Sequence, residues 1–263
     1  MQVAMGQFAV HREWTHNLDT CLDLMTRARA AGADLLVLPE GILARDIADP
    51  DLVRRAAQPL DGPFMRQVLE ASTGHALTTM MTVHVPATDD GKVWNILVAV
   101  RDGAIVAQYR KLHLYDAFTM KESTNVVPGG EVPPLVEVAG WKVGLMTCYD
   151  VRFPELARRL ADDGAEVLVL PSAWVKGPLK EMHWEVLTTA RALENTCWMV
   201  AVGECGERNI GASRVVDPFG VAVAAAAEAP ALVLAELDRA RMDRARALLP
   251  ALANRRFARP ELA

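Results

Sequence analysis

The sequence predicts an α/β protein built as a four-layer α-β-β-α sandwich of two pseudo-symmetric halves. Three observations lead there. Runs such as "LLVL" at 35–38 are apolar at every position, which suits strands covered on both faces rather than a sheet with one side in water. These runs alternate with stretches of helical periodicity. Finally, "RAAGADLLVLPEG" at 29–41 is echoed by "ADDGAEVLVLPSA" at 161–173: helix end, glycine, acidic residue, apolar strand, Leu-Pro and a polar residue. A repeated helix–strand unit implies two sheets packed on each other, each with helices outside. A single doubly wound sheet explains the echo less well.

Taken in order, residues 1–10 alternate loosely and read as a first strand. Thr15 is placed to cap a helix with the apolar stripe Leu18, Cys21, Leu22 and Met25, and Gly32 supplies its stop. The strand at 35–38 follows. A helix is expected over 63–72 and strands over 77–85 and 93–100, and "RDG" at 101–103 turns the chain into a strand at 104–109. Residues 111–134 have weak periodicity and contain "VPGGEVPP", which marks a long functional loop. A strand at 143–146, a helix at 154–162, a strand at 167–170 and a long helix at 178–194 come next. Strands at 198–202, 212–216 and 221–225, apolar segments to Leu237 and an irregular tail from Leu249 complete the chain.

The composition excludes several classes of function. Of 263 residues 51% are apolar and 23% charged, the profile of a globular protein with a sizeable core. A net charge of -5 gives no support to nucleic-acid or membrane binding, and no apolar run reaches spanning length. The four cysteines, Cys21, Cys148, Cys197 and Cys205, lack CxxC spacing, so free thiols in a reducing compartment are expected. The opening "MQVAMGQFAV HRE" has no basic region and no cleavage-like site, which reads as cytoplasmic. No low-complexity stretch or linker divides the chain, so one domain over 1–263 is expected.

Three polar residues stand where buried strands end: Glu40 after "LLVLP", Lys111 after "AQYR" and Cys148 after "VGLMT". In α/β sheets ligands gather beyond the carboxyl ends of strands. A cysteine is ordinarily a small core hydrophobe, and Cys21 and Cys197 fit that description. Cys148 differs because a helix opens just after it, with Pro154 suited to the first turn and Glu155 complementing the dipole. That helix end favours a thiolate, and the amide after the cysteine is free to donate to an oxyanion. A nucleophilic thiol needs a base. Among six histidines only His113 lies near these motifs, while His183 shares a helical stripe with Leu187 and Ala190. A Cys-His pair would leave Glu40 and Lys111 without a role, whereas a buried glutamate can itself serve as base. Taken singly, Glu40 fits a salt bridge equally well and Lys111 an exposed lysine.

"LLVLPEG", "YRKLHLYD" and "GLMTCYDVRFPEL" together resemble the three signature blocks of the nitrilase, or carbon–nitrogen hydrolase, superfamily, in the family's order. The likeness spans nearly the whole chain and includes "TTARALENTCWMVAVGECG". The "CYDVRFPE" form resembles the amidase-type Nit branch. True nitrilases follow the cysteine with tryptophan, glutamate and asparagine.

The resemblance implies the nitrilase-type sandwich and a thiol-dependent amidase. Glu40 would be the base, Cys148 the nucleophile, and Lys111 with the backbone amide of Tyr149 the oxyanion donors. Glu122 in "MKES" matches the family's further active-site glutamate; the plainer reading makes it a surface carboxylate beside Lys121. Substrate contacts are implied for Tyr115, Arg152, Ser172, Ala173 and Trp174, with Phe118 in the same loop. A substrate bearing carboxylates would need a cation, and Lys176, Lys180 and Arg208 are all open possibilities. No cofactor and no metal are expected, since neither Cys148 nor His113 has metal-ligand spacing around it.

The implied partner is a small-molecule amide. Deaminated glutathione, which would release cysteinylglycine, is favoured over 2-oxoglutaramate or another small amide. A homodimer is implied too, with the tail at 249–256 reaching a neighbour. A non-catalytic binding or scaffold protein of the same fold is the alternative from another class.

Overall fold

A computed structural model describes residues 1–87, 90–257 and 259–263. Strand β1 (Gln2–Gln7) leads into helix α1 (Trp14–Ala30), which buries Leu18, Cys21, Leu24, Met25 and Ala28 on one face. Glu13 rather than Thr15 stands at its start, and Leu24 takes the place in the stripe expected of Leu22, which is half-buried. Then come β2 (Leu35–Val37), a short α2 (Leu52–Arg55), α3 (Pro63–Ser72), β3 (Thr78–Pro86), β4 (Val93–Arg101) and β5 (Ala104–Arg110). The second half contains β6 (Val136–Val138), β7 (Trp141–Leu145), a 3-10 turn (Cys148–Arg152), α4 (Pro154–Asp162) and β8 (Val167–Ser172). It continues through α5 (Lys180–Asn195), β9 (Trp198–Gly203), β10 (Arg214–Val216) and β11 (Ala222–Ala225). Strand β12 (Ala231–Glu236) and helices α6 (Arg239–Leu248) and α7 (Ala251–Asn254) follow.

The strands form two six-stranded sheets, ordered β12-β1-β2-β3-β4-β5 and β6-β7-β8-β9-β10-β11. In each, three neighbouring strands pair in parallel (β1, β2, β3; β7, β8, β9) and every other pairing is antiparallel. The sequence echo is therefore a structural repeat. The Asp34 side chain accepts from Gln2 N at 2.8 Å, and Glu166, its counterpart, accepts from Lys142 N at 2.9 Å. Both acidic residues fasten the start of their strand to the neighbouring strand.

Alternation along the strands divides the core into layers. Val3, Met5, Leu35, Val37 and Met80 face the second sheet's Val143, Leu145, Val167 and Val169. Ala4, Leu36, Leu38, Met81 and Val83 face the other way, against Leu18, Leu24, Phe64 and Val68 of α1 and α3. Helices α4 and α5 cover the second sheet's outer face, with Trp184 and Ala192 in that core.

Four elements escape the sequence reading: β6, α6 and the four-residue helices α2 and α7, the last of which lies in the tail expected to be irregular. Strand β6 is only "VEV" and closes onto β7 through Ala139 and Gly140, both at positive φ (47° and 75°), which is too short for alternation to register. Helix α6 intersperses four arginines and an aspartate with small apolar residues and buries only Met242 and Ala245, so it shows no stripe. The expected loop at 111–134 holds only a 3-10 turn, Glu122–Thr124, and a single bridge from Val126 to Val93. No helix among the described residues is long and apolar enough to cross a membrane.

Candidate active site

The carboxyl ends of β2, β5, β7 and β8 converge on one cavity of about 440 Å³. Glu40 sits three residues past β2, its amide against Ser172 O at 3.4 Å, so the ends of the two echoed strands meet here. Gly41 follows at φ +68°; a β-carbon there would run into the Arg45 side chain and crowd His84.

Glu40 is 4% exposed, and its hydrogen-bond partners among the described residues are donors. Its Oε1 accepts from Lys111 Nζ at 2.9 Å and Asn95 Nδ2 at 2.8 Å, and Oε2 accepts from Ala173 N at 3.0 Å. Arg45 Nη1 stands 4.0 Å from Oε2. Burial would raise this carboxyl, but Lys111 and then Arg45 overcome it and hold the group down at about 2. An ion pair at about 3 Å is worth on the order of 5 kcal/mol at an effective dielectric near 20, enough to offset a desolvation cost of several kcal/mol.

Lys111, buried at the end of β5, also donates to Glu122 Oε2 at 2.8 Å and Oε1 at 3.1 Å. Burial works against its charge, yet Glu122 and Glu40 raise it above an ordinary lysine. Glu122 reaches inward from the 3-10 turn, and its Oε2 also accepts from Tyr115 N at 2.6 Å. It is thus no surface carboxylate paired with Lys121.

Cys148 and Glu40 line the same cavity, near enough that each acts on the other's ionisation. Burial first, and then the Glu40 charge, push the thiol well above an ordinary cysteine; Lys111 only moderates this. The resting pair is therefore a neutral thiol beside an ionised carboxylate. Cys148 has φ +43°, a left-handed conformation that costs a non-glycine residue on the order of 1–3 kcal/mol. The fully buried Asp150 holds the turn. Its Oδ2 accepts from Thr147 N and Tyr109 Oη, both at 2.8 Å, and its Oδ1 from His113 N at 3.2 Å. His113 Nδ1 lies 2.8 Å from the same Oδ1 and the ring stacks on Phe153 at 3.7 Å, so this imidazole is committed away from the thiol. Asp150 N, donating to Thr147 O, is the first amide the turn closes, which leaves the Tyr149 amide ahead of it at the mouth of the turn.

Tyr115, Tyr149, Ala173 and Trp174 line the same cavity. Ser172 is buried, its hydroxyl on Leu170 O at 3.3 Å, and its carbonyl accepts from Glu40 N and Glu204 N. Arg152 lies behind the wall, its guanidinium 5.0 Å from the Trp174 ring and Nη2 3.3 Å from His183 Nδ1. Of the three open cations only Lys180 lines the cavity; Lys176 and Arg208 are exposed.

Four residues of this region carry no signal in the sequence. Asn95 is the polar interruption in the apolar strand "VWNILVAV". His84 pairs with it in register on β3, and burial depresses this imidazole to about 3, so it is neutral. Arg45 spans Glu40 and Glu204, whose Oε2 is 3.8 Å from Arg45 Nε. Burial pushes the Glu204 carboxyl up to about 7 despite Arg45. Among the described residues no cluster of His, Cys, Asp and Glu is arranged to hold a metal ion, and the neighbourhood of Cys148 offers amide, ammonium and carboxylate groups suited to acyl transfer.

Comparison with known proteins agrees with this geometry. The carbon–nitrogen hydrolase family model matches residues 2–247. The deaminated glutathione amidase of Escherichia coli O157:H7 is 56% identical over 262 residues, covering 100% of both chains. Among solved structures, Nit3 of Saccharomyces cerevisiae, a member of branch 10 of the nitrilase superfamily, superposes with a TM-score of 0.86 at 26% identity, covering 98% of this chain and 97% of that one. A mutant of the amidase from Nesterenkonia sp. AN1 gives a TM-score of 0.82 at 25% identity, covering 97% and 94%; in it the acetamide moiety of fluoroacetamide is covalently added at the active-site cysteine.

Proposed function

The chain belongs to the carbon–nitrogen hydrolase family and is an amide-hydrolysing enzyme, and from that premise we propose that Cys148, Glu40 and Lys111 catalyse hydrolysis of deaminated glutathione. The observation that carries this reading is the buried cluster itself: a thiol on the same cavity as a carboxylate that is ion-paired to an ammonium. As Cys148 Sγ attacks the amide carbon, Glu40 takes the thiol proton. Lys111 Nζ and the Tyr149 amide hold the oxyanion. The tetrahedral intermediate collapses with cleavage of the C–N bond, and Glu40 passes the proton to the departing nitrogen. The acyl group is left as a thioester on Cys148. Glu40 then removes a proton from water, which attacks the thioester carbon; C–S cleavage releases the acid, and the proton returns to sulfur.

Glu122 fixes the Lys111 ammonium against the pull of Glu40 alone. From deaminated glutathione the products are 2-oxoglutarate and cysteinylglycine. The identity to the Escherichia coli amidase supports this substrate over 2-oxoglutaramate. The test is turnover of both compounds by the wild type and by Cys148→Ala. Loss of hydrolysis in the variant, with deaminated glutathione the better substrate of the wild type, is expected. Retained hydrolysis in Cys148→Ala would favour a non-catalytic role for this site, and equal turnover of the two amides would move the reading to an omega-amidase.

Two finer statements belong here. Exposed apolar residues Met182, Val186 and Leu193 on α5, with Leu248 and Phe257 near the C-terminus, support a homodimer through this face. Light scattering showing only monomer would overturn it. Four free, buried cysteines support a reducing, cytoplasmic setting.

A further inference from the structure

Lys180 is the first residue of α5, where the helix dipole disfavours a cation, and it is only 5% exposed. Its backbone is fixed from both sides. Leu179 before it is left-handed at φ 59°, Lys180 N donates to Gly177 O at 3.2 Å, and Trp174 Nε1 donates to Lys180 O at 2.9 Å. The side chain lines the cavity. Its Nζ is 2.6 Å from Tyr115 Oη and lies 4.1, 5.0 and 5.6 Å from the ring centres of Phe118, Tyr115 and Trp174. Among the described residues, no carboxylate forms an ion pair with this ammonium.

Arg152 adds a second positive charge, 5.0 Å from the Trp174 ring, with its Nε buried and unbonded and, among the described residues, no carboxylate in an ion pair with it. Burial, and then Arg152, pull Lys180 below an ordinary lysine. The contrast with Lys111, in the same cavity, is direct: that ammonium is bonded to two carboxylates. A buried cation held by a hydroxyl and aromatic faces alone lacks its counter-charge.

We propose that Lys180 Nζ, together with the Tyr115 hydroxyl, binds a carboxylate of the substrate and thereby selects anionic amides over neutral ones. Three aromatic rings around the ammonium leave the cavity side as its open approach, and an incoming carboxylate would accept from both Nζ and Tyr115 Oη. The inference deepens the substrate reading above and rests on it for the identity of the molecule, but not for the sign of its charge. Deaminated glutathione carries a carboxylate on the acyl part and another on the leaving part, and either would satisfy this chemistry.

The experiment compares kcat/KM for glutaramate, which bears a carboxylate, with that for glutaramide, its neutral counterpart, in wild type, Lys180→Met and Lys180→Arg. The expected result is a fall of at least tenfold in the glutaramate-to-glutaramide ratio for Lys180→Met, carried by KM for glutaramate, with Lys180→Arg restoring most of it. Should Lys180→Met fail to fold, Lys180→Gln and Tyr115→Phe serve, the latter with a smaller fall in the same ratio. An unchanged ratio, or equal losses on both amides, would exclude the acyl carboxylate and, with inhibition by cysteinylglycine also unchanged in Lys180→Met, would overturn the proposal. Product inhibition separates the two sources of carboxylate: weaker inhibition of Lys180→Met by 2-oxoglutarate assigns the acyl carboxylate, and weaker inhibition by cysteinylglycine the leaving-group carboxylate. Inhibition by both products unchanged would count against the proposal. If the wild type fails to hydrolyse deaminated glutathione, the substrate reading falls while the amide ratio still tests Lys180.

Discussion

The two halves of the molecule share a topology strand for strand, yet they bring different groups to the cavity. The first half provides the charge: Glu40, Lys111 and Arg45, with Glu122 from the loop that joins the halves. The second half provides the thiol and main-chain donors, Cys148, the Tyr149 amide and the Ala173 amide that bonds Glu40. The sharpest contrast lies at the echoed strand ends, where "LPEG" in one half aligns with "LPSA" in the other, so Glu40 and Ser172 occupy equivalent positions and touch through Glu40 N and Ser172 O. One position carries a buried carboxylate, stabilised by Lys111, Asn95 and Arg45. Its counterpart carries a hydroxyl that needs only a neighbouring carbonyl. A repeated backbone thus fixes where a side chain projects, while the cations around that point decide whether a charge can live there.

The contrast can be broken most severely by removing the charge from the first half. Glu40→Gln keeps the shape and leaves the thiol without a proton acceptor, so kcat is expected to fall about 10³-fold, the scale of a lost general base. Steady-state rates at saturating amide check this, and a loss under tenfold would show that another group removes the proton. Imposing the first half's chemistry on the second should act on stability instead. Ser172→Glu would bury a second carboxylate against Glu40 with no cation assigned to it, and a loss of about 3–5 kcal/mol is expected in urea unfolding. An unchanged midpoint would mean that Arg45 can serve both positions.

A gentler variant sharpens the picture by acting where the halves are joined through Arg45. The Glu204 carboxyl titrates at about 7 rather than at its ordinary 4.5, so between those values the folded state binds this proton more tightly than the unfolded chain does. Its contribution to stability is complete below pH 4.5 and is lost as the pH rises through 7, a change of up to about 3 kcal/mol. His84, kept neutral with its value depressed to about 3, works in the opposite sense as the pH falls below 6.5. The expected signature is therefore a difference: relative to wild type, Glu204→Gln should gain stability between pH 5 and pH 8. Parallel denaturation curves at those two values test it, and identical pH dependence in both proteins would mean that Glu204 is ionised throughout.

The division of labour explains what could be read from the sequence. Glu40, Lys111 and Cys148 are legible because each stands within three residues of a strand's end, where a polar residue interrupts an apolar run and a family block surrounds it. The layered architecture is legible because apolar runs and the echo are local patterns. Asn95, His84, Arg45 and Glu204 are not, since their meaning comes from partners far along the chain that meet only when the strands pair. His84 and Asn95 illustrate this: two polar residues in separate strands become neighbours by antiparallel register alone. Lys180 is harder still, because what distinguishes it from Lys176 is a left-handed turn at Leu179 that turns the next residue inward. Asp150 stands in view within "CYDVRFPE", but three of its four side-chain contacts reach back to Tyr109 and His113 on either side of Lys111, so that one carboxylate ties the Cys148 turn to the end of β5.

The resting state of Cys148 has a consequence for the protein's chemical durability. Oxidants such as peroxide attack thiolates, and the oxidation ladder begins with the ionised sulfur. Here burial and the Glu40 charge favour the protonated sulfur, and the residue is 8% exposed. A protonated sulfur at this depth is a slower target for diffusible oxidants than an exposed thiolate would be.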